Sequence, residues 1–342
     1  MAIYARALRF ISILLASSLA AIAAPALEPS SATSTSSSAA TTSAAVAAPT
    51  EPIANVTSPA SFPAPTSLDA AYVSSFKPLT YFAGAAYCHP NDTLAWNCGE
   101  PCQANEGFIS IASGGDGAAV QFWYVGYDPQ LKSVVVAHQG TDQNNTEALV
   151  TDFNVVLVGL NSTLFPGMPE DIKVHAGFVQ THSLSAFEIL AAVKKGLIDH
   201  GANHVTAVGH SLGGALALLD SVYLPLHLES IDISTVVYGM PRVGNQAFAD
   251  YVDSKLQLKR INNRRDPVPI LPGIFFGYRH PAGEIRISDT DEWMACDGQD
   301  NENTSCSTGA VGSIFDGVIA DHSGPYDGVT IRCHSNVPVT GD

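Results

Sequence analysis

Residues 205–219 read Val-Thr-Ala-Val-Gly-His-Ser-Leu-Gly-Gly-Ala-Leu-Ala-Leu-Leu, a short apolar run followed by a glycine-flanked serine and an apolar helical pattern. This order predicts a strand, a sharp turn and a helix. The turn would strain the backbone of Ser211, and Gly209 and Gly213 would leave room for the chain to pass, so the hydroxyl would stand above the sheet. Because unpaired amides and the helix dipole favour negative charge at a helix start, Leu212 N–H is half of an anion-binding site. Ser211 is therefore a candidate nucleophile.

Apolar runs and helical patterns alternate on both sides of this turn. An alternation of this kind predicts an α/β fold with a mostly parallel sheet and helices on both faces. The predicted helices cover 67–87, 183–200, with a buried stripe that includes Phe187, and 245–256. The predicted strands cover 118–127, 133–137, 205–210, 234–238 and 258–262.

The loop His138-Gln-Gly-Thr-Asp142 follows a predicted strand and offers a hydroxyl and a backbone amide beside a glycine. A second donor to an oxyanion needs these groups. Residues 144–160 then pass through a short polar helix candidate into an apolar stretch, and their position suggests a lid.

A serine nucleophile needs a histidine to take its proton and a carboxylate to orient that histidine. In hydrolases with this turn the carboxylate and then the histidine follow the serine in the chain. Asp266 follows a predicted strand and precedes Pro267-Val-Pro269, so it is the preferred carboxylate, and His322 in a late loop is the preferred base. The other carboxylates, expected at the solvent surface, are Asp220, Asp232, Asp250 and Asp253. The other histidines, expected to be structural, are His210, His280 and His334.

The N-terminal region has the pattern of a secreted protein. Two arginines precede an apolar run, Phe10 to Ile22, that is too short to span a membrane, and residues 1–24 are predicted to be a signal peptide. Residues 25–66 are rich in Ser, Thr, Ala and Pro, which predicts a disordered segment or a pro-segment removed later. We expect the catalytic domain over 67–342.

The six cysteines suggest three disulfides in such a compartment, although spacing alone does not select the pairing. Cys98 and Cys102 are close enough for a local bridge, as are Cys296 and Cys306, which would leave Cys88 for Cys333. Candidate N-glycosylation sites lie at Asn55, Asn91, Asn144, Asn161 and Asn303.

The chain is acidic, with 16 Lys and Arg against 32 Asp and Glu and a formal net charge of −16. This charge disfavours binding to nucleic acid and to anionic membranes.

Several motifs occur together in this order: Val174-His-Ala-Gly-Phe178, Gly209-His-Ser-Leu-Gly-Gly214, Tyr238-Gly-Met-Pro-Arg-Val-Gly244, Arg264-Arg-Asp-Pro-Val-Pro-Ile-Leu-Pro272, Gly277-Tyr-Arg-His280 and Asp321-His322. With them the chain resembles the filamentous-fungal class 3 lipase family over about residues 67–333. The resemblance implies the α/β-hydrolase fold and a secreted, extracellular enzyme that hydrolyses carboxylic esters, most often acylglycerols at a lipid–water interface. It implies no metal and no organic cofactor.

The resemblance also implies roles for single residues. Ser211, Asp266 and His322 would form the catalytic triad, while Thr141 and the Leu212 amide would bind the oxyanion. A lid aspartate would orient Thr141, and Asp152 is the candidate, with Asp142 as the alternative. The family's cysteine pattern suggests the pairs Cys88–Cys333, Cys98–Cys102 and Cys296–Cys306.

Two departures from the family pattern bear on the substrate. Gln139 stands where relatives carry arginine, and the lid region Asn144-Asn-Thr-Glu-Ala-Leu-Val-Thr-Asp152 is polar and has no tryptophan. A polar lid favours the alternative of a feruloyl or other aryl esterase acting on plant cell-wall esters. A non-catalytic surface protein is the third hypothesis.

Overall fold

The computed structural model describes residues 62–142 and 155–333. The predicted signal peptide, nearly all of the segment 25–66 and most of the predicted lid lie outside the described residues. The first regular element, Thr66–Ser67, begins one residue before the predicted start of the catalytic domain and pairs with residues 294–295.

Thirteen strands are present in the described ranges, and nine of them form one sheet in the order β1-β13-β12-β10-β8-β7-β4-β3-β2. In chain order they are β1 (Thr66–Ser67), β2 (Ile109–Gly114), β3 (Trp123–Asp128), β4 (Ser133–His138), β5 (Leu157–Gly159), β6 (Lys173–His175), β7 (His204–His210), β8 (Asp232–Tyr238), β9 (Gly244–Asn245), β10 (Gln257–Asn263), β11 (Tyr278–Arg279), β12 (Glu284–Ile287) and β13 (Trp293–Cys296).

The five central strands of this sheet, β4, β7, β8, β10 and β12, run parallel. Both edges are antiparallel, with β3 and β2 beyond β4 and with β13 and β1 beyond β12. The predicted parallel arrangement is therefore confirmed for the centre. A smaller sheet has the order β11-β9-β6-β5.

The helices of the described residues are α1 (Ala70–Ser74), α2 (Lys77–Ala85), α3 (Pro90–Ala95), α4 (Glu100–Gln103), α5 (Ala176–Ser183), α6 (Ala186–His200), α7 (Leu212–Tyr223), α8 (Gln246–Lys255) and α9 (Ser307–Ala310). Single turns of 3-10 helix cover Leu224–Leu226, Val268–Ile270, Ile274–Phe276, Ile314–Asp316 and Ile319–Ser323. None of these helices is long and apolar enough to cross a membrane.

The single helix predicted over 67–87 is wrong, because the structure has two helices there. Asp69 caps α1 by accepting a hydrogen bond from the amide of Tyr72 at 2.9 Å. Pro78 lies in the first turn of α2. A proline there has no amide to donate to residue 74, and its ring would collide with that carbonyl in one continuous helix.

One further boundary and the buried face of one helix differ from the prediction. The strand predicted from residue 118 begins at Trp123, because Asp116 Oδ1 accepts hydrogen bonds from Ala118 N and Val120 N, each at 2.9 Å, and closes a turn between β2 and β3. Phe187, predicted in the buried stripe of α6, is 59% exposed. The buried face of α6 is formed by Ala186, Ile189, Ala192, Val193 and Gly196.

Alternating residues of the central strands contribute side chains to two apolar cores, one on each face of the sheet. Val134 and Val136 of β4 pack in one core with residues of α5, α6, α7 and α8. Val135 and Ala137 pack in the other with residues of α1 and α2. Since successive side chains of a strand point to opposite faces, helices cover both faces of the sheet as predicted.

Three disulfides are present: Cys88–Cys333, Cys98–Cys102 and Cys296–Cys306. These are the pairs that the family resemblance implied. The first joins residues 245 positions apart, near the two ends of the described fold.

Candidate active site

Ser211 lies on the sharp turn between β7 and α7, with a backbone φ of 59° and ψ of −129°. A side-chain-bearing residue rarely adopts this region, so the turn stores strain at the candidate nucleophile. A Cβ added to Gly209 would lie 2.1 Å from the carbonyl oxygen of Gly213, and one added to Gly213 would lie 2.3 Å from that of His138. The close passage of chains requires glycine at both positions.

Asp266 and His322 form a buried pair at the same rim of the sheet. His322 Nδ1 lies 2.8 Å from Asp266 Oδ2, and each residue is 2% exposed. Asp266 is in the turn after β10, where its other oxygen accepts a hydrogen bond from Val268 N at 2.9 Å. Because Oδ2 can only accept when ionised, His322 Nδ1 carries the proton, which leaves Nε2 as the basic nitrogen.

Gly239, directly after β8, connects this pair to the elbow, the sharp turn between β7 and α7 that carries Ser211. Its φ is +53°, and an added Cβ would lie 2.8 Å from Asp266 Oδ2 and 2.9 Å from His322 Nδ1. The preceding carbonyl, that of Tyr238, accepts a hydrogen bond from Ser211 N at 2.9 Å. The ends of β7 and β10 thus bring the serine and the carboxylate to one edge of the sheet, and the 3-10 turn Ile319–Ser323 brings the imidazole to them.

Two buried polar atoms at this edge have no hydrogen-bond partner among the described residues: Ser211 Oγ and His322 Nε2. The carboxylate–imidazole bond is therefore made, while the serine–imidazole bond is not made in this structure. Buried polar groups are rarely left unsatisfied outside functional sites. In unliganded enzymes the nucleophile–base bond is often long and tightens only with substrate.

The predicted oxyanion loop, residues 138–142, packs against the elbow. A Cβ added to Gly140 would lie 3.0 Å from Ser211 Cβ and 2.5 Å from the carbonyl oxygen of His210. Thr141 is the next residue, and Leu212 is the first residue of α7, so its amide has no carbonyl partner within the helix.

Gln139 anchors the start of this loop. Its backbone N–H donates to the carbonyl oxygen of Phe122 at 2.8 Å, and its side-chain Oε1 accepts a hydrogen bond from the backbone N–H of Phe122 at 3.0 Å. The residue that departs from the family pattern therefore extends the pairing of β3 and β4 by one position.

The lid residues stay predictions. Asp152 and Asn144 lie outside the described residues, whereas Asp142, the alternative orienting residue, is exposed. Among the candidate glycosylation sites, Asn91 and Asn161 are exposed and Asn303 is partly buried. Asn55 lies in the N-terminal part that is not described.

The competing histidine His280 lies away from the reacting atoms and supports the Asp266 loop. It is buried, and its Nε2 lies 2.8 Å from the carbonyl oxygen of Pro269. Its backbone amide donates to Asp300 Oδ2 at 2.8 Å. Burial, followed by the charge of Arg260, lowers the pKa of His280 well below its ordinary value, so its ring is neutral. His334 lies outside the described residues.

The expectation that Asp220 is at the solvent surface is wrong. Asp220 is on α7 and is fully buried, and its two oxygens lie 2.6 Å from His138 Nε2 and 2.8 Å from His182 Nε2. One carboxylate therefore links β4, α5 and α7. Asp232, Asp250 and Asp253 are exposed, as expected.

His210 has a more specific role than the packing predicted for it. Its ring is buried, with Nδ1 2.6 Å from the hydroxyl of Tyr87 and Nε2 2.7 Å from the carbonyl oxygen of His322. The sequence offered no signal for Tyr87, which is 123 positions from its partner.

An apolar cavity of about 580 Å³ lies between the segment after Asp266 and the segment before His322. Its lining includes Leu271, Pro272, Phe276, Val311 and Ile314. Nearby in the chain, Phe275 is 83% exposed and Phe315 is 91% exposed. Large apolar side chains exposed beside an apolar cavity mark a surface suited to apolar ligands or lipid.

The chain is similar to several known proteins. The family model described as Lipase (class 3) matches residues 135–276, which include Thr141, Ser211 and Asp266. The secreted mono- and diacylglycerol lipase 1 of Fusarium solani is 32% identical over 261 residues, covering 70% of this chain and 73% of that protein.

The secreted mono- and diacylglycerol lipase MDL2 of Malassezia globosa is 33% identical over 179 residues. That match covers 51% of this chain and only 59% of the length of the relative. The solved structure of the Rhizomucor miehei lipase propeptide complex superposes with a TM-score of 0.69 at 27% identity, covering 80% of this chain and 86% of that one.

Proposed function

The chain belongs to the class 3 lipase family, and from this premise we propose that it is a secreted serine hydrolase of acylglycerol esters. The observation that carries the proposal is the meeting, at one edge of the sheet, of a strained Ser211 and a buried Asp266–His322 pair. Ser211 Oγ and His322 Nε2 have unused hydrogen-bonding capacity, as a nucleophile and its base require.

In the proposed reaction Ser211 Oγ attacks the ester carbonyl carbon while His322 Nε2 takes the hydroxyl proton. Asp266 holds the imidazole in the Nδ1–H form and stabilises its charged state. The amides of Leu212 and Thr141, with the Thr141 hydroxyl, bind the oxyanion. His322 then returns the proton to the leaving alcohol, and water hydrolyses the acyl-enzyme by the same steps. These residues carry the reaction without a metal or organic cofactor.

The apolar cavity supports an acyl chain as the group bound beside the triad. Its walls come from the segment that follows Asp266 and the segment that precedes His322. Phe275 and Phe315, exposed near this cavity, support contact with a lipid–water interface. The relatives named above are described as mono- and diacylglycerol lipases, so we include partial glycerides with triacylglycerol among the proposed substrates.

Extracellular localisation is part of the proposal. Both relatives are named as secreted proteins, and three disulfides are typical of an oxidising compartment. The predicted signal peptide is consistent with the same route.

Feruloyl or aryl ester hydrolysis remains the second candidate, favoured by the polar sequence of residues 144–152. A panel of emulsified tri-, di- and monoacylglycerol, a soluble short-chain ester and methyl ferulate separates the two. We expect the acylglycerols to be hydrolysed and methyl ferulate to be a poor substrate. The reverse order would replace the lipase proposal by the esterase one.

The role of the serine is tested by Ser211→Ala, with the exposed Ser254→Ala as the control. We expect ester hydrolysis to disappear in the first variant and to persist in the second. Diethyl p-nitrophenyl phosphate should label Ser211 covalently in the wild type. If Ser211→Ala keeps its ester hydrolysis, the assignment is wrong, and an absence of both labelling and activity in the wild type would favour a non-catalytic surface protein.

A further inference from the structure

A chain of two hydrogen bonds runs behind the catalytic residues, from Tyr87, which packs against the oxyanion loop, to the backbone of His322. The hydroxyl of Tyr87 packs against Gly140, where an added Cβ would lie 2.3 Å from it, and it lies 2.6 Å from His210 Nδ1. His210 Nε2 lies 2.7 Å from the carbonyl oxygen of His322. Four segments that are far apart in the sequence, at positions 87, 140, 210 and 322, meet in this way.

The carbonyl acceptor of His322 determines which atom donates in each of these hydrogen bonds. A carbonyl oxygen only accepts, so His210 Nε2 must carry a proton and donate it to His322 O. Burial, followed by the neighbouring His322, lowers the pKa of His210 well below its ordinary value, so the ring is neutral and Nδ1 is an acceptor. Tyr87 therefore donates its hydroxyl proton to Nδ1. Burial raises the pKa of Tyr87, which keeps this hydroxyl protonated.

Both ends of the chain adjoin groups that the proposed reaction uses. Gly140 precedes the oxyanion donor Thr141, and an added Cβ on Gly140 would lie 2.3 Å from the Tyr87 hydroxyl. At the other end the acceptor belongs to the proposed base itself, and the rings of His210 and His322 are 4.4 Å apart. The same carbonyl accepts a hydrogen bond from Tyr326 Oη at 3.0 Å, so it is held from two sides.

Tyr87 is itself held in place. It follows α2, and the next residue, Cys88, is bonded to Cys333. Its hydroxyl is therefore a fixed point against which the oxyanion loop and the His322 loop are both placed.

We propose that Tyr87 and His210 are positioning residues, which set the oxyanion loop and the imidazole of His322 at the correct distance from Ser211. The inference rests on the proposed function. Neither residue touches the reacting atoms in this scheme. Their effect is on geometry, and a misplacement of about 1 Å at such a site can lower a rate by about a hundredfold.

The first test compares Tyr87→Phe with Tyr124→Phe. Tyr124 is a matched control, because its buried hydroxyl donates at 2.8 Å to the carbonyl oxygen of Phe82 in α2 and makes no contact with the catalytic residues. We expect Tyr87→Phe to reduce kcat and the acylation rate on a soluble p-nitrophenyl ester about 10- to 100-fold with KM unchanged. Tyr124→Phe should lower Tm by a similar amount and leave kcat unchanged.

A second pair of variants separates the contact of His210 with Tyr87 from its contact with the backbone of His322. His210→Gln places an amide near the former Nε2 and can still donate to His322 O, whereas His210→Asn places one near the former Nδ1 and can still meet Tyr87. We expect both variants to have a lower kcat than the wild type. Adding Tyr87→Phe should reduce kcat further in the Asn variant and little in the Gln variant, which has already lost the Tyr87 contact.

The wild type supplies a measurement that does not depend on folding of the variants. Nitrogen-15 NMR of its histidines should show His210 as the neutral Nε2–H form across the active pH range. A charged ring or the Nδ1–H form would overturn the proton assignment. The positioning role fails if Tyr87→Phe and Tyr124→Phe have the same kcat while Ser211→Ala is inactive, whereas an active Ser211→Ala removes the proposed function itself.

Discussion

Asp220 Oδ2 lies 2.6 Å from Nε2 of His138, and both side chains are shielded from solvent inside the domain. Burial alone would raise the pKa of Asp220, but the adjacent His138 and hydrogen bonds from His138 and His182 lower it to about 2. The folded protein therefore holds an ionised carboxylate in its interior, and its partner His138 is the last residue of β4, where the oxyanion loop begins.

This arrangement predicts an acid-dependent loss of stability. Because the pKa of Asp220 is lower in the folded than in the unfolded protein, the carboxylate stabilises the fold fully above about pH 4, and the contribution disappears as pH falls toward 2. We expect Asp220→Asn to reduce the free energy of unfolding by about 3 kcal/mol at pH 7. In urea titrations the difference from wild type should shrink between pH 4 and pH 2.

The control for this variant is Asp199→Asn, since Asp199 makes an exposed pair with Lys195 one helical turn away. Exposed pairs contribute about 0.5 kcal/mol or less. Equal losses in the two variants, or a difference that does not depend on pH, would contradict the account of Asp220.

The strained turn predicts that the Ser211→Gly variant is more stable than the Ser211→Ala variant. Ser211 has a positive φ that glycine adopts without strain, and that strain is of the order of 1–3 kcal/mol. Glycine costs about 0.5–1 kcal/mol in unfolded-state entropy relative to alanine. We expect Ser211→Gly to unfold at a higher urea concentration than Ser211→Ala by about 1 kcal/mol, and a less stable glycine variant would contradict the strained turn.

Gly239→Ala should impair catalysis more than its effect on stability indicates. The new methyl group would lie 2.8 Å from Asp266 Oδ2 and 2.9 Å from His322 Nδ1, so the pair must separate. Gly201→Ala is the matched control, because Gly201 has a similar φ of +60° and open space where the methyl group would go. We expect kcat to fall about 100-fold in Gly239→Ala only. Similar kcat values in the two variants would show that the contact is not important.

Phe275 and Phe315 should increase the rate of hydrolysis of emulsified esters and have no effect on the hydrolysis of dissolved esters. Burying one such side chain contributes about 1.5–3 kcal/mol, so losing it weakens adsorption to lipid about tenfold or more. We expect Phe275→Ser and Phe315→Ser to require more emulsion for half-maximal rate, with unchanged kcat/KM on a soluble ester. Phe187→Ser, at an exposed position on α6, is the control. An equal effect of all three variants would mean that the surface is not specific.

The sequence predicted best what is encoded locally. The elbow at Ser211 needs only its own glycines and the flanking strand and helix, and its strained φ is the conformation that was predicted. Chain order and loop character predict Asp266 and His322 as partners, and His322 Nδ1 lies 2.8 Å from Asp266 Oδ2. Their catalytic roles remain part of the proposed function.

Contacts across the fold were not predictable from local pattern. Asp220 was expected in solvent because an aspartate in an apolar helix is usually exposed, and its partners His138 and His182 are 82 and 38 positions away. Which face of α6 is buried depended on the strands beneath it, so the predicted position of Phe187 was wrong. The break before Pro78 could have been read from the proline itself.

The bond between Cys88 and Cys333 closes almost the whole described domain into a covalent ring. A protease that cuts one surface loop anywhere between these residues produces two segments that stay linked through sulfur. The severed molecule still holds the serine and its imidazole in a single entity, since both lie within the ring. In surroundings rich in secreted proteases, a single nick need not release either half of the catalytic apparatus.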